Sequence, residues 1–341
     1  MTGGTQSKPQ TAVLLARDMQ AQCFSEADLE RIAAVTELYP AQTDGLSDET
    51  QIACMAGAEI IITGWGSRPV TTAMLEAAPG LKLMCHSAGS VRSFLDPAEF
   101  QERGIRVCSA RSALATGVAE FVFGMMLVSM KGAWNLHAAT LGGVWDRAQA
   151  MDWIREPFGA TVGIVGASNV GREMIRLCKT LELGALLLYD PYVTEEEAGQ
   201  MGVVKVELDE LMRRSDVVSL HTPATEEARH IINADTLALM KDHAIFINTS
   251  RGMCVDEQAL IAELETGRIL ACIDVTDPEP PKPDSPLFRL PNCILTPHVA
   301  GAVKQNIHRQ GRLVADQIEA FIAGTDALPG EIDFAHYDRL A

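Results

Sequence analysis

The chain has 341 residues, of which 47% are hydrophobic, and its formal net charge is −17. This length is typical of two domains, and the apolar content is enough for buried cores. The negative charge argues against a nucleic acid or an anionic membrane as a partner, because both are bound by basic patches.

The eight cysteines are scattered along the chain without a C-x-x-C pair. Most of them, such as Cys85 and Cys272, lie in apolar runs, which favours reduced thiols of a cytoplasmic protein over disulfides or a metal site. The first residues lack a long apolar segment after a basic start, so we expect no signal peptide. The longest apolar run, Gly117–Met130, is too short for a membrane span and contains Glu120.

The first 110 residues alternate between short β-type runs and helical segments. This alternation predicts a parallel sheet with helices on both faces. The predicted strands are Ala12–Ala16, Glu59–Thr63, Leu81–Cys85 and Ile105–Val107, with helices such as Glu26–Val35 and Thr71–Ala78 between them. No glycine-rich fingerprint occurs here, so we do not expect this half to bind a nucleotide.

One long helix is predicted at Leu114–Ala139, and its broad apolar surface should be buried or pack against a partner. The following segment, Leu141–Phe158, is irregular and contains Trp145 and Trp153, so we expect a linker or an interface arm.

A second α/β array is predicted from residue 160 onwards. Its strands are Val162–Val165, Leu186–Tyr189, Val217–Leu220, Ala244–Ile247, Ala271–Val275 and Ile294–Leu295. A final amphipathic helix, Asn306–Gly324, is expected to return the chain to the first domain.

The stretch Gly163–Asp190 has the pattern of a dinucleotide-binding unit, in which strand, glycine turn, helix and strand follow one another. The helix N-terminus would bind the pyrophosphate, and Asp190, about 20 residues past the last glycine, would bind the adenosine ribose. The turn contains Gly166, Ser168, Asn169, Val170 and Gly171. Ser168 replaces the middle glycine of G-x-G-x-x-G, so an ordinary strand–turn–helix unit stays open as an alternative.

Polar residues follow the later strands of this array, at the edge where open parallel sheets bind ligands. An arginine fork binds a planar carboxylate, and a histidine oriented by a carboxylate exchanges a proton near neutral pH. This chemistry suits a 2-hydroxy or 2-keto acid, with the hydride chemistry supplied by a cofactor. The strand-end segments are His221-Thr222-Pro223, Asn248-Thr249-Ser250-Arg251-Gly252, Asp274 to Pro280, and Thr296-Pro297-His298.

These segments resemble the D-isomer-specific 2-hydroxyacid dehydrogenase family, which includes phosphoglycerate, glycerate and D-lactate dehydrogenases. The resemblance implies an α/β fold with parallel sheets in both of its two domains. It predicts a Rossmann NAD-binding domain at 116–304 and a flavodoxin-like substrate domain at 1–115 and 305–341. The matching segments are VGASNVG with YDPY, LHTPATEEARHII, INTSRGMCVDEQAL, IDVTDPEPP, LTPHVAG and, for the bridging helix, ATGVAEFVFGMMLVSM.

By this resemblance, Arg251 binds the substrate carboxylate and polarises its carbonyl group. His298 is the general acid and base, and Glu279 pairs with it. The residues expected along the cofactor are Gly166, Ser168, Asn169, Val170, Gly171, Asp190, Thr222, Pro223, Thr249 and Asp274. The backbone of a loop containing Ala88, Gly89 and Ser90 is expected to help hold the substrate carboxylate.

The substrate loop departs from the family pattern, with Val91 where a glycine is usual and Ser93 where an aspartate is usual. Substrate identity is therefore open, and Arg92 in this loop would favour a substrate with a second anionic or polar group. The acid at Asp190, followed by no arginine but by three glutamates at 195–197, favours NAD over NADP.

We therefore expect a cytoplasmic NAD-dependent oxidoreductase that interconverts a small D-2-hydroxy acid and its 2-keto acid. The resemblance implies a homodimer built around Leu114–Ala139. Two alternatives stay open: a non-catalytic NAD(H)-binding protein like the family's corepressors, and an amino-acid or inorganic-anion dehydrogenase of related fold.

Overall fold

The structure is a computed structural model that describes residues 7–146, 154–301 and 304–339. These residues form two compact units. The first comprises the described parts of 1–114 and 302–340, and the second comprises 115–301.

The described residues of the first unit contain a five-stranded sheet in which all neighbouring strands pair in parallel. The strand order β2-β1-β3-β4-β5 is that of flavodoxin-like sheets. The elements are β1 (Gln10–Val13), α1 (Arg17–Cys23), α2 (Glu26–Val35), β2 (Glu37–Tyr39), α3 (Asp48–Met55), β3 (Ile60–Thr63), α4 (Thr72–Ala77), β4 (Leu83–His86), α5 (Pro97–Glu102) and β5 (Arg106–Ser109).

Two helices continue from this unit along the chain, α6 (Arg111–Met130) and α7 (Ala133–Leu141). The described part of the second unit contains a seven-stranded parallel sheet. Its elements are β6 (Thr161–Val165), α8 (Asn169–Cys178), β7 (Ala185–Tyr189), α9 (Glu195–Met201), β8 (Val204–Lys205), α10 (Leu208–Arg214), β9 (Val217–Leu220), α11 (Ala234–Ala238), β10 (Ile245–Asn248), α12 (Glu257–Glu265), β11 (Leu270–Ile273) and β12 (Cys293–Leu295). The last helix of the chain, α13 (Lys304–Ile322), belongs to the first unit.

The second sheet has the strand order β8-β7-β6-β9-β10-β11-β12. Its first six strands follow the order of the Rossmann fold, and the order reverses between β6 and β9. Successive residues of a strand point to opposite faces. Accordingly, Val218 and Phe246 pack in one core, while Val217 and Ile245 pack in another. Both faces of the sheet are covered, which explains why its central strands are largely apolar.

Two strands were not predicted, β2 and β8. Both lie at the edges of their sheets. β2 is three residues long, β8 is two residues long, and neither strand contains a buried residue. A short, exposed edge strand carries no apolar run from which it can be recognised.

The prediction of one helix over Leu114–Ala139 is wrong, because α6 and α7 are separate helices. The break lies at Gly132, which has a left-handed backbone with φ +60° that glycine adopts readily. By length and composition alone, α6 is long and apolar enough to cross a membrane. In the structure, Val122 and Met126 of this helix pack in a core with Ile164 and other strand residues. Trp153 of the predicted linker lies outside the described residues.

Candidate active site

The glycine turn joins β6 to α8 at the point where the strand order reverses, the position at which such sheets bind ligands. Gly166 has φ +97°. A Cβ atom there would lie 2.9 Å from the carbonyl carbon of His221, at the end of the neighbouring strand. A Cβ atom on Gly171 would lie 2.1 Å from the Gly166 carbonyl oxygen. The first and last glycines of the motif are therefore required by close backbone approach.

Ser168, in place of the middle glycine, is the N-cap residue of α8. Its φ of −61° is accessible to any residue, and its Oγ accepts a hydrogen bond from the Gly171 N–H at 3.4 Å. The next two residues, Asn169 and Val170, begin the helix. The first N–H groups of a helix have no partner within it and favour anions. The serine thus preserves the helix start that would hold a pyrophosphate.

The Asp190 carboxylate accepts hydrogen bonds from the backbone segments that follow β6 and β7. Oδ2 accepts the Ala167 N–H at 2.7 Å, and Oδ1 accepts the Tyr192 N–H at 2.8 Å. Because each carboxylate oxygen has further acceptor capacity, the half-buried group is also able to accept ribose hydroxyls. The geometry fits the ribose role expected of Asp190.

Three buried polar atoms at the ends of β9 and β10 lack hydrogen-bond partners among the described residues. They are Nδ1 of His221, Oγ1 of Thr222 and Oγ1 of Thr249. His221 donates to or accepts from Ser219 Oγ through Nε2 at 2.9 Å, and burial lowers its pKa to about 3, so its ring is neutral. Buried polar groups are almost always paired. Together with the glycine turn and Asp190, these atoms fit a bound dinucleotide. Thr222 and Pro223 follow the same strand, and Pro223 O lies 3.7 Å from Cys254 Sγ.

Arg251 lies in a loop that follows β10. Asn248 at the strand end holds this loop, since its Nδ2 donates to the Arg251 carbonyl at 3.2 Å and its Oδ1 accepts the Ser250 N–H at 3.0 Å. A Cβ atom on Gly252 would lie 2.1 Å from the Thr276 carbonyl carbon, so this loop packs tightly on the loop after β11. The half-buried Arg251 side chain has no carboxylate partner among the described residues, and its Nη1 donates to the Ser250 carbonyl at 2.6 Å. It is therefore available to a substrate carboxylate.

Asp274 has a structural role that was not predicted from the sequence. It is only 3% exposed. Its Oδ1 accepts the Thr296 hydroxyl at 2.6 Å and the Val299 N–H at 3.0 Å, and its Oδ2 accepts the Ala300 N–H at 2.9 Å. These three bonds bracket His298, whose own N–H donates to the Asp274 carbonyl at 2.9 Å. Asp274 therefore fixes the loop that carries the histidine.

His298 and Glu279 are brought into direct contact. His298 Nδ1 lies 2.6 Å from Glu279 Oε1, and both side chains are about half-exposed. The histidine has φ +51°, a left-handed conformation that is uncommon outside glycine. Because Nδ1 faces the carboxylate, Nε2 is the nitrogen left to exchange a proton with a ligand.

The predicted substrate loop belongs to the first unit, at the carboxyl end of β4. Ala88 is buried, and Gly89 accepts a hydrogen bond from Ser109 Oγ at 2.7 Å. Ser90 Oγ accepts the Arg92 N–H at 3.3 Å. Val91, the residue that departs from the family pattern, is 1% exposed and packs in the core of this unit. Its apolar side chain thus has a packing role.

Sequence reasoning missed two supports of the site, Asn248 and Thr296, as well as the role of Asp274. A signal existed in the run Leu270–Val275, because an acid inside a buried strand end must find hydrogen-bond donors. The identity of those donors depends on which loops the sheet brings together.

Comparisons with known proteins agree with this geometry. Residues 123–300, more than half of the chain, match the family model described as the NAD-binding domain of D-isomer-specific 2-hydroxyacid dehydrogenases. A solved structure, apo D-mandelate dehydrogenase of Rhodotorula graminis, shares the fold with a TM-score of 0.80 at 24% identity, covering 96% of this chain and 98% of that one.

Among curated relatives, the glyoxylate reductase of Korarchaeum cryptofilum is 35% identical over 259 residues, which are 75% of this chain and 77% of that protein. The D-3-phosphoglycerate dehydrogenase of Methanocaldococcus jannaschii is 34% identical over 282 residues, 82% of this chain and 53% of that protein. The chain thus spans about half the length of that relative and of a second phosphoglycerate dehydrogenase, from Archaeoglobus fulgidus. By the family model and these relatives, the chain belongs to the D-isomer-specific 2-hydroxyacid dehydrogenase family.

Proposed function

We propose that this protein is an NAD-dependent oxidoreductase that interconverts a small D-2-hydroxy acid and its 2-keto acid. The observation that carries the proposal is the contact of 2.6 Å between His298 Nδ1 and Glu279 Oε1, at the sheet edge that also carries Arg251. The glycine turn and Asp190 lie at the same edge and support NAD as the cofactor.

In the proposed reaction, Arg251 binds the substrate carboxylate through paired N–H donors. Glu279 accepts the Nδ1–H of His298, which orients the ring and leaves Nε2 toward the substrate oxygen. In reduction, Nε2 donates its proton to the carbonyl oxygen, and in oxidation neutral Nε2 removes the hydroxyl proton. A nicotinamide cofactor, when bound, would supply or accept the hydride. Backbone groups of Ala88, Gly89 and Ser90 would help hold the carboxylate.

The proposal includes a cytoplasmic homodimer built around α6 and α7. It is supported by large apolar side chains that are exposed on and after α7, such as Trp134, Leu141 and Trp145. Exposed apolar patches of this kind commonly mark protein interfaces. Sedimentation equilibrium should show a dimer that Leu141→Glu weakens, and a monomeric parent protein would contradict this part.

The test of the reaction is a panel of 2-keto acids with NADH, followed by the loss of NADH absorbance. His298→Ala should lower kcat by about 10²- to 10⁴-fold, as expected for a lost acid–base group, with the NADH Kd largely kept. His336→Ala is a matched control, because His336 also contacts a carboxylate, Asp333, at 2.7 Å and is exposed. It should retain parental kcat.

Three kinds of result would contradict the proposal. Near-parental turnover in His298→Ala would remove this histidine from the mechanism. A parent protein that binds NADH but reduces no keto acid would support the non-catalytic, corepressor-like alternative, and ammonia-dependent turnover or phosphite oxidation would point to a dehydrogenase of another class.

A further inference from the structure

Arg111 has no acidic partner among the residues that the structure describes, although the chain is strongly acidic, with 45 acidic and 28 basic residues. No described residue forms a hydrogen bond or ion pair with its guanidinium group, although the side chain is half-buried. Burial without a counter-charge lowers the pKa of Arg111 and is unfavourable for a cation. By contrast, many other arginines contact carboxylates, among them Arg31, Arg68, Arg103, Arg106, Arg155, Arg176, Arg213, Arg214, Arg229 and Arg268.

Hydrogen bonds and packing place Arg111 beside the predicted substrate loop within the first unit. Ser109 Oγ, at the end of β5, accepts the Arg111 N–H at 3.1 Å and donates to the Gly89 carbonyl at 2.7 Å. Leu114 lies one helical turn after Arg111, and residues three apart share a helix face. The Leu114 Cδ1 atom lies 3.8 Å from the Cβ position of Gly89. The face of α6 that carries Arg111 therefore packs toward this loop.

The position of Arg111 within α6 is also unfavourable for a cation. It is the first residue of a 20-residue helix, and the partial positive charge of a helix N-terminus disfavours a basic side chain there. An anion near this guanidinium would offset the burial of the charge and the helix dipole together. The chain itself supplies no such anion among its described residues.

We propose that Arg111 determines substrate specificity by binding a second acidic group, a carboxylate or a phosphate, of a substrate held at the neighbouring loop of the first unit. The inference rests on the proposed function, in which the loop of Ala88, Gly89 and Ser90 helps to hold the substrate. It assigns to Arg111 the role that the sequence suggested for Arg92, whose side chain is exposed.

The experiment compares 2-oxoglutarate with 2-oxoglutaramate, in which a neutral amide replaces the distal carboxylate at the same size. A second pair, 3-phosphohydroxypyruvate and hydroxypyruvate, tests a phosphate as the distal group. In the parent, kcat/KM should favour at least one acidic substrate. Arg111→Met should reduce that kcat/KM by about 10- to 100-fold, as expected for a lost charge-assisted hydrogen bond, and change the neutral partner by less than about 3-fold. Arg111→Lys should restore part of the preference.

Arg103→Met is the matched control, because Arg103 lies in the same unit and contacts Glu99 at 2.9 Å. It should behave as the parent. Equal losses for acidic and neutral substrates in Arg111→Met, or loss of the preference in Arg92→Met and not in Arg111→Met, would overturn the inference.

Calorimetric binding of the same four keto acids to the NAD⁺ complex separates this inference from the proposed function, because keto acid and NAD⁺ do not react. An Arg111-dependent preference for an acidic ligand without any turnover would support the binding role and reject the reaction. Turnover of 2-keto acids, with no preference for the acidic member of either pair, would support the reaction and reject the role of Arg111.

Discussion

Replacing Asp274 by asparagine should loosen the loop that carries His298. The carboxylate has two acceptor oxygens that receive the Thr296 hydroxyl and the N–H groups of Val299 and Ala300. An asparagine of the same shape has one acceptor oxygen, and its NH₂ group would face a donor. In either orientation of the amide, at least one donor of this loop loses its acceptor.

The magnitude follows from burial at this position. Asp274 is 3% exposed, and a buried donor without an acceptor costs about 1–3 kcal/mol. We expect Asp274→Asn to reduce the free energy of unfolding by that amount, measured by urea titration. Because the loop also positions His298, kcat should fall by about 10²-fold, the scale expected for a displaced catalytic group.

Thr296→Ser is the control for Asp274→Asn, because it keeps the hydroxyl donor and should retain parental kcat. The NADH Kd of Asp274→Asn, measured by fluorescence, should stay within about 3-fold of the parent. A tenfold weaker NADH Kd with unchanged kcat would refute this reasoning and return Asp274 to the cofactor role that the family resemblance implies.

Three further predictions concern the cofactor turn and the first unit. Asp190→Ala should shrink the preference for NADH over NADPH in kcat/KM, and a parent that prefers NADPH would contradict the assignment. Gly171→Ala should destabilise the protein by at least about 1–3 kcal/mol through overpacking, since the new Cβ would lie 2.1 Å from a carbonyl oxygen. The control, Gly199→Ala, changes a helix position with open space and should be neutral or stabilising by up to about 1 kcal/mol. Equal changes in the free energy of unfolding of the two variants, measured in urea, would refute the steric argument. Burial lowers the pKa of His86 from 6.5 to about 4, so the unfolded chain takes up a proton that the folded state excludes as pH falls from 6.5 to 4. His86 should therefore lower the free energy of unfolding by about 3 kcal/mol between pH 6.5 and pH 4. His86→Gln should remove this part of the pH dependence, and an unchanged pH dependence of the free energy of unfolding in that variant would show that His86 does not cause it.

The sequence by itself determined most elements and the edge at which the polar residues gather. Continuous apolar runs such as Leu186–Tyr189 predict buried strands, because a parallel sheet covered on both faces requires them. Positions 166 and 171 were recognisable as turn glycines from their spacing alone. Arg251 and His298 follow such strands directly, so parallel topology alone places them at one edge.

The tertiary structure decided the partners of the polar side chains. The three hydrogen bonds to Asp274 join residues far apart in sequence, and the N-cap role of Ser168 depends on the exact start of a helix. The lack of an acidic partner for Arg111 among the described residues likewise depends on which segments pack around it. The break at Gly132 likewise interrupts an apolar pattern that is continuous in sequence. Side-chain spacing encodes local backbone conformation, since each conformation has its own period. Which donor meets which acceptor depends on the order of strands in the packed sheet, and that order is set by the packing of the whole core.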